Sequence, residues 1–392
     1  MGGNLTYERF YESEGSFVIA GNVIDAAHSI AGKVLWGLGY LPPANATMMA
    51  VGGNLQVHSG SPTSADSYAF VGGNTRIGGS DTSVNKLFIA SEKNFRSYFN
   101  KIGQGSNEAS IQKYTQGYVY PDQKNAKILT NLGKTNALKV DADGDGVLES
   151  DFNDHVNKTL KPLSTRLRNL AKTGTITYEK APDDPSFESI TGVQKVSIAN
   201  EGRIVFTGDG QNHRQVFNLD LNQLDTAKTR LKVNGWSLDF RNIPDSQAII
   251  VNATGKTDYT WNTGWRVWVN GKDYSTGVGT SPKNAAFKDI ASRLLWNYPD
   301  ATQLTLDLAY FDSYTGSWRD FTDAHHSMAV MFPGSILLPN GSMYDLADTN
   351  GRLLIGKNLR FNIWEHHNAP WIGLPDTPQC FSVKGTTTAT LS

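Results

Sequence analysis

Val51-Gly52-Gly53-Asn54 and Val71-Gly72-Gly73-Asn74 are two copies of one phrase, set 20 residues apart. Each leads into a short alternating run, Leu55 and Val57 after the first and Thr75 and Ile77 after the second. A looser form, Ala20-Gly21-Asn22-Val23, stands upstream. A fixed period near 20 marks a coiled stack of β-strands in which each turn of chain pairs with the next. Paired glycines permit φ > 0 at a corner, and Asn is the residue next best suited to that region. The phrase therefore predicts the corner of a rung. Near the other end, Pro339-Asn340-Gly341 and Gly356-Lys357-Asn358 place asparagines 18 apart, so both ends of the chain read as rungs.

Working outward, short strands are expected at 16–20, 32–38, 48–51, 55–58, 68–71 and 75–77. From 86 to 140 the repeat lapses, and that stretch reads as an insertion. The clearest helix covers 150–172. There Phe152, Val156, Leu160, Leu163, Leu167 and Leu170 recur at spacings of three and four, which puts them on one face. Ser150 or Asp151 suits its N-cap, and Pro162 should kink it or end its first half. Such a stripe must lie against something, and the flank of the strand stack is the natural surface. Strands resume at 174–178, 195–197, 203–207, 216–219, 230–233, 248–251, 266–269, 303–308, 328–331, 335–338 and 353–355. No linker interrupts the chain before about Pro375. The expectation is one mainly β domain over 1–375: a β-solenoid with an amphipathic α-helix packed along its side and long loop insertions. Residues 376–392, rich in Thr and Ser, read as the start of a following domain or a stalk.

Composition narrows the function classes. The 392 residues carry 36 basic and 37 acidic side chains, a net charge of −1, with no basic stripe, which argues against a nucleic-acid partner. Charged residues make up only 19% while Gly numbers 38, a balance that suits extracellular β proteins. Cys380, alone, cannot form an internal disulfide and reads as an inert thiol. Disulfide-free chains of this kind are common on Gram-positive bacterial surfaces. No apolar run approaches the ~18–20 residues of a spanning helix. Met1-Gly2-Gly3-Asn4 lacks a signal-peptide pattern, which does not argue against secretion.

Several phrases in order resemble the choice-of-anchor A domain, a bacterial surface module described as collagen-binding-like. They are Ser29-Ile30-Ala31-Gly32-Lys33-Val34 with the Gly-Gly-Asn copies, Asp151-Phe152, Val251-Asn252-Ala253-Thr254-Gly255, Trp296-Asn297-Tyr298-Pro299, Gly334-Ser335-Ile336-Leu337 and His367-Asn368-Ala369-Pro370-Trp371. The resemblance covers about residues 16–373. It implies a domain tied to the cell surface, similar in layout to ice-binding β-solenoids that pair a helix with a stack of rungs. The chain is longer than the family pattern, with extra residues at about 36–47, 88–140, 257–282 and 308–331.

Three constellations could carry chemistry. Asp141, Asp143 and Asp145 followed by Gly146 match the start of a calcium loop. Position 12 is Phe152, so closure would fall to Glu149 or Asp151 with the carbonyl of Val147; a solvated acidic turn capping the helix fits equally. His325-His326 and His366-His367 would make a metal site only if their loops met, and adjacent histidines on a strand point apart. Aromatics crowd 259–268 and 310–321. Tyr259, Trp261, Trp265, Tyr314 and Trp318, set among Gly, Thr, Asn and Ser, are candidates for stacking on a sugar or peptide, whereas Trp268 and Trp296 read as core. No nucleophile elbow, phosphate loop or histidine-glutamate zinc helix occurs, and Asp183-Asp184 between prolines reads as a turn.

The function expected is non-enzymatic adhesion at a bacterial cell wall or surface. The ligand would be a matrix protein such as collagen, or a glycan, and the domain a monomeric part of a larger surface protein. Calcium is the one cofactor the sequence offers. Ice binding and a carbohydrate-active β-helix enzyme are the alternatives. The first would need a ladder of regular Thr-x-Thr on successive rungs, which the sequence lacks; the second needs paired acids on one face.

Overall fold

Short runs whose apolar residues fall two apart pair side by side in parallel, each burying one row of side chains. Leu5, Val23, Leu55, Leu304, Met343 and Leu359 form such a row, all buried. The structure, a computed structural model, describes residues 1–8, 12–14, 17–25, 33–35, 46–57, 67–71, 75–77, 127–129, 155–180, 187–188, 195–196, 201–233, 235–273, 282–307, 310–312, 317–319, 332–347, 349–362, 365–367 and 369–373, with single positions 134 and 138. The fold is mainly β.

Most of the strands assemble in three ladders. The first runs, in spatial order, through Thr175–Lys180, Glu201–Thr207, Gly235–Arg241, Asp258–Val269, Gln303–Asp307, Ser342–Asp345 and Leu359–Phe361, and then Leu5–Tyr7, Val23–Asp25, Leu55–Val57 and Thr75–Ile77. The second has two parts. One is Gln215–Asp220, Ile249–Thr254, Leu294–Asn297, Ser335–Leu338 and Leu353–Ile355; the other is Phe17–Ile19, Ala46–Val51, Ser67–Val71 and Lys127–Leu129. Met1 and Gly2 bridge the two parts: the Gly2 N–H donates to Ile355 O (2.9 Å) and the Ala20 N–H to Met1 O (2.9 Å). The third ladder holds Phe332–Pro333, Thr349–Asn350, Glu365–His367, Glu12–Glu14 and Lys33–Leu35.

The two sets of rungs read at the ends of the sequence are therefore one continuous stack, joined where Leu5 pairs with Leu359. The chain starts mid-stack, builds to one end at Lys127–Leu129, and resumes at the opposite end. There Thr175–Lys180 pairs antiparallel with Glu201–Thr207. The expected insertion over 86–140 holds a rung near its end, since Lys127–Leu129 pairs with 68–70.

The expected helix is present over 155–168. Its first part, Val156–Leu160, is a π turn, and α1 (Lys161–Arg168) follows with Pro162 in its first turn. A proline ring clashes with the carbonyl four residues back. Opening the preceding turn, so that the Lys161 N–H donates to Val156 O, relieves that clash. Residues 151–154 lie outside the described residues. Leu160 and Leu167 bury against Val216, Ile250, Leu295 and Leu337 on the outer side of the second ladder. These strands are covered on both faces and read as continuous apolar runs.

The strand expected at 230–233 is instead the end of a helix. In α2 (Leu221–Leu231) Asp220 caps the start, accepting from the Asn222 and Gln223 N–H groups. Leu221, Leu224 and Ala227 pack into the main core with Ile176 and Tyr178 against it, closing that end of the stack. The Arg-Leu-Lys-Val run satisfied a strand pattern, but the Asp cap and the 221/224/227 spacing fix the helix. A third helix, α3 (Pro282–Arg293), stands before Leu294–Asn297 and contacts the third ladder.

The Gly-Asn phrase is a corner, but not for the reason expected. Gly3, Gly21, Gly52 and Gly53 are absent from the positive-φ residues. What they provide is room. A Cβ on Gly53 would lie 2.2 Å from Asn22 Oδ1, one on Gly21 2.3 Å from Asn4 Oδ1, and one on Gly3 2.3 Å from Asn358 Oδ1. Each Asn carboxamide fills the space under the glycine of the next turn and accepts from the next Asn: Asn4 N–H to Asn358 Oδ1, Asn22 N–H to Asn4 Oδ1 and Asn54 N–H to Asn22 Oδ1, each 2.8 Å. The Asn358 N–H continues to Ser342 Oγ (3.3 Å), so Ser342 takes the place that the 18-residue spacing assigned to Asn340. Asn340 donates elsewhere, to Pro299 O (2.8 Å).

Candidate ligand-binding face

The long strand Asp258–Val269 serves two neighbours. Its first part pairs with Gln303–Asp307, ending at Asn262 opposite Asp307. Its last part pairs with Gly235–Arg241, and between them the register jumps, Trp236 facing Thr263 and Leu238 facing Val267. That bulge holds Trp265, whose side chain lies outside the described residues. Bulges bend a strand and re-aim its side chains.

Two of the expected ligand residues are core residues instead. Tyr259 and Trp261 are 6% and 1% exposed. Trp261 donates to Tyr298 OH (2.7 Å) and meets Trp296 edge-on at 5.5 Å; Tyr259 meets Trp261 edge-on at 5.3 Å. The alternation explains this. Tyr259, Trp261, Val267 and Val269 sit at odd positions, in phase with Leu304 and Leu306. Trp268, expected in the core, is out of phase and half-buried, with the Arg203 guanidinium 4.7 Å above its ring. Trp296 is fully buried, as expected, and donates to Pro333 O (2.8 Å).

Around Trp268 the outer side of the first ladder carries a charge network. Asp239, 5% exposed, accepts from Arg241 Nη2 (2.7 Å) and lies 3.7 Å from Arg203 Nη1. Arg241 also pairs with Glu179 (2.6 Å). The hydrogen bond that Arg241 donates to Asp239 leads the effects that hold its guanidinium above its ordinary pKa. The cations are thus committed within the fold, where they offset the charge of the buried Asp239 carboxylate.

The second aromatic stretch leaves the ladder at the same place. Past Asp307 the chain forms a hairpin in which Tyr310 pairs with Arg319, Phe311 with Trp318 and Asp312 with Ser317. Asn262 and Asp307 are paired, and Trp265 and Tyr310 each lie three residues beyond. Three residues of extended chain span about 10 Å, so both departures share one locality of the first ladder. Trp318 is on the hairpin's second strand; Tyr314 lies outside the described residues.

The proposed calcium ligands Asp141, Asp143, Asp145, Val147, Glu149 and Asp151 also lie outside the described residues, as do His325, His326 and Cys380. His366 and His367 are buried. His366 Nδ1 meets Thr349 Oγ1 at 2.5 Å, and burial, then His367, brings its pKa down to about 3, so it stays neutral and structural. Among the described residues no group of three His, Cys, Asp or Glu side chains could hold a metal ion. No helix of the described residues is long and apolar enough to cross a membrane.

Sequence reading missed what Asn252 and Asn297 do. They pair across adjacent strands under α1, where Asn252 donates to Leu167 O (3.0 Å) and Asn297 to Ser164 O (3.0 Å) and to Asn252 Oδ1 (2.8 Å), while the Ser164 hydroxyl donates to Asn297 Oδ1 (2.6 Å). The Val-Asn-Ala-Thr and Trp-Asn-Tyr-Pro phrases are therefore the seat of the helix. Buried amides satisfied in this way specify one docking geometry.

A family model described as "Putative Ice-binding-like adhesive domain" matches residues 2–368. Searches of curated proteins and of solved structures return no match.

Proposed function

The chain belongs to the ice-binding-like adhesive domain family, and from that premise we propose that it is a non-enzymatic adhesion module of a bacterial surface protein. The parallel ladders act as successive turns of a β-solenoid, a rigid support of the kind the choice-of-anchor A resemblance implies. The ligand site lies where the Trp265 bulge and the 310–319 hairpin leave the first ladder, and it takes a glycan or an extended matrix protein such as collagen. The observation that carries this reading is the pairing of Asn262 with Asp307, which brings two aromatic departures together. Aromatic faces next to polar, charged side chains suit stacking on sugar rings or peptide. Glycan and matrix-protein arrays test it: the wild-type domain is expected to bind one class, and Trp265→Ala with Trp318→Ala to lose at least tenfold in affinity without a change in melting temperature. Binding unaltered by both substitutions overturns the site.

Ice binding is the second reading, favoured by the family's description and by Thr260 paired with Thr305. The row does not continue as threonine. In register it runs on through Tyr344, Arg360, Thr6, Ile24 and Gln56. Arg360 sits 4.4 Å above the Tyr344 ring and pairs with Glu8 (2.5 Å), which breaks a flat, uncharged face. Thermal hysteresis is expected to be absent, and measurable hysteresis would restore this reading.

A further inference from the structure

Gln215 sits among more acceptors than its amide can use. It opens the outermost strand of the second ladder and is 0% exposed. Its Nε2 carries two hydrogens and faces three acceptors: Asp209 Oδ1 (2.9 Å), His213 O (3.0 Å) and Gln211 O (3.2 Å). Its Oε1 accepts from the Asp209 N–H (3.0 Å) and from the Thr173 hydroxyl (3.3 Å). Gly208 leaves room for that oxygen, since a Cβ there would lie 2.5 Å from it. Thr173, half-buried between α1 and the outermost strand of the first ladder, is itself held. Its N–H donates to Val216 O (3.0 Å), and its Oγ1 accepts from the Val216 N–H (2.9 Å). Asp209 Oδ2 meets His213 Nε2 at 2.9 Å.

A resting amide has one hydrogen too few for three acceptors. The same nitrogen carries three hydrogens once it is protonated as a leaving group. The surroundings of Nε2 therefore fit the departing amine better than the amide, which is the condition for speeding its departure. The backbone N–H on Oε1 stabilises the negative charge that grows there when the carbonyl carbon is attacked. The Gln211 N–H, and after it the Gln215 amide, holds the Asp209 carboxyl below its ordinary pKa, so it is ionised and able to take a proton. Burial of Gln215 keeps out the water that would compete for its carbonyl.

We propose that Thr173 and Gln215 join in an intramolecular ester made by the fold itself. Thr173 Oγ1 attacks Gln215 Cδ. The Oγ1–Cδ bond forms, the Cδ–Nε2 bond breaks, and the nitrogen leaves as ammonia. The hydroxyl proton ends on that nitrogen, carried by the Asp209 carboxylate that touches it. The exchange is redox-neutral and needs no other reactant. The ester ties the chain leaving α1 to the second ladder at the end closed by α2. It would resist peeling of Thr175–Lys180, the outermost strand of the first ladder. The proposal does not rest on the aromatic ligand site.

The test is the intact mass of the purified wild-type chain after denaturation. It is expected to fall short of the sequence mass by one ammonia, and proteolysis should release a branched peptide joining Thr173 to Gln215. Mild alkali, which opens esters and spares amides, should part the two arms. Thr173→Ser should keep the mass deficit and Thr173→Val should lose it. Asp209→Ala should slow its appearance by about a hundredfold, followed on freshly synthesised chain. Where a variant fails to fold, the wild-type mass and peptide map decide alone. A wild-type chain at its full sequence mass, hydrolysis of Gln215 to a free carboxylate in place of the deficit, or a branch between other residues overturns the proposal. So does the same deficit in folded Thr173→Val, or an unslowed rate in folded Asp209→Ala.

Discussion

Each turn of the stack has two unlike sides. From the second ladder to the first the chain needs only three residues at six places, 20–22, 52–54, 72–74, 255–257, 339–341 and 356–358; it takes five at 298–302, and only at the capped end does a helix, α2, stand on this side. From the first ladder back to the second it takes seven residues at 208–214 and 242–248, and elsewhere passes through a third-ladder strand, a helix or a long interruption. Residues 36–45, 58–66, 78–126, 274–281 and 308–331 all fall on this return path. The short corner is fixed by Asn carboxamides bonded to the next turn's backbone and by glycines with no room for a Cβ. One inserted residue there would break the column. The return path has no such column, so length and chemistry vary on it at little cost. Fixed and variable chain are thus assigned to opposite sides of one repeated unit.

The largest effect is expected at the corner. A Cβ on Gly356 would lie 1.8 Å from Pro339 O and 2.5 Å from its carbonyl carbon, and backbone cannot step aside as a side chain can. Gly356→Ala should therefore cost about 3 kcal/mol or more, read as a lower urea midpoint; a wild-type midpoint would show that the corner is looser than its geometry.

The next effect comes from the return path. His366 takes a proton near 6.5 when unfolded but only near 3 when folded. The folded state binds fewer protons between those values. Stability is complete above about pH 6.5 and falls as pH drops toward 3, by up to ~1.4 kcal/mol per pH unit. His366→Gln should flatten this acid limb, and an unchanged limb would assign it to other groups.

Smaller again, Asn22→Ala removes the acceptor for the Asn54 N–H in an exposed setting and should cost about 1 kcal/mol, seen in thermal melts. The smallest effect belongs to insertion. Four Gly-Ser residues placed within 58–66 should shift stability by less than ~0.6 kcal/mol, well below the cost of the same four placed after Gly53, where they would interrupt the Asn column. Similar outcomes at the two places would erase the distinction between the sides.

Much of the scaffold was legible because its signals are local. Thr75–Ile77, Ser335–Leu338 and Leu353–Ile355 were read at their observed bounds, since each is a short run closed by Gly or Pro. The leucine spacing disclosed α1 and its buried side. What failed needed partners far along the chain. Nothing near Gly53 reveals that it lies over Asn22, so backbone freedom was the natural explanation where close approach is the actual one. Tyr259 and Trp261 were read by their polar neighbours, although the odd-position alternation through Val267 and Val269 already placed them inside. The aromatic site was half legible: its two stretches stand out by composition, but only the Asn262–Asp307 pair brings them together.

The pairing of the first rung with a late one has a consequence for biosynthesis. Asn4 and Asn358 are 354 residues apart in sequence, and Leu5–Tyr7 lies between Leu359–Phe361 and Val23–Asp25. During synthesis this strand is made long before its partner Leu359–Phe361 and must hold one of its edges open until that partner has been translated. Such high contact order slows folding and leaves an adhesive edge exposed meanwhile. Chains that stop short of residue 359 are therefore left with that edge unfilled, and they should aggregate rather than persist as partial domains.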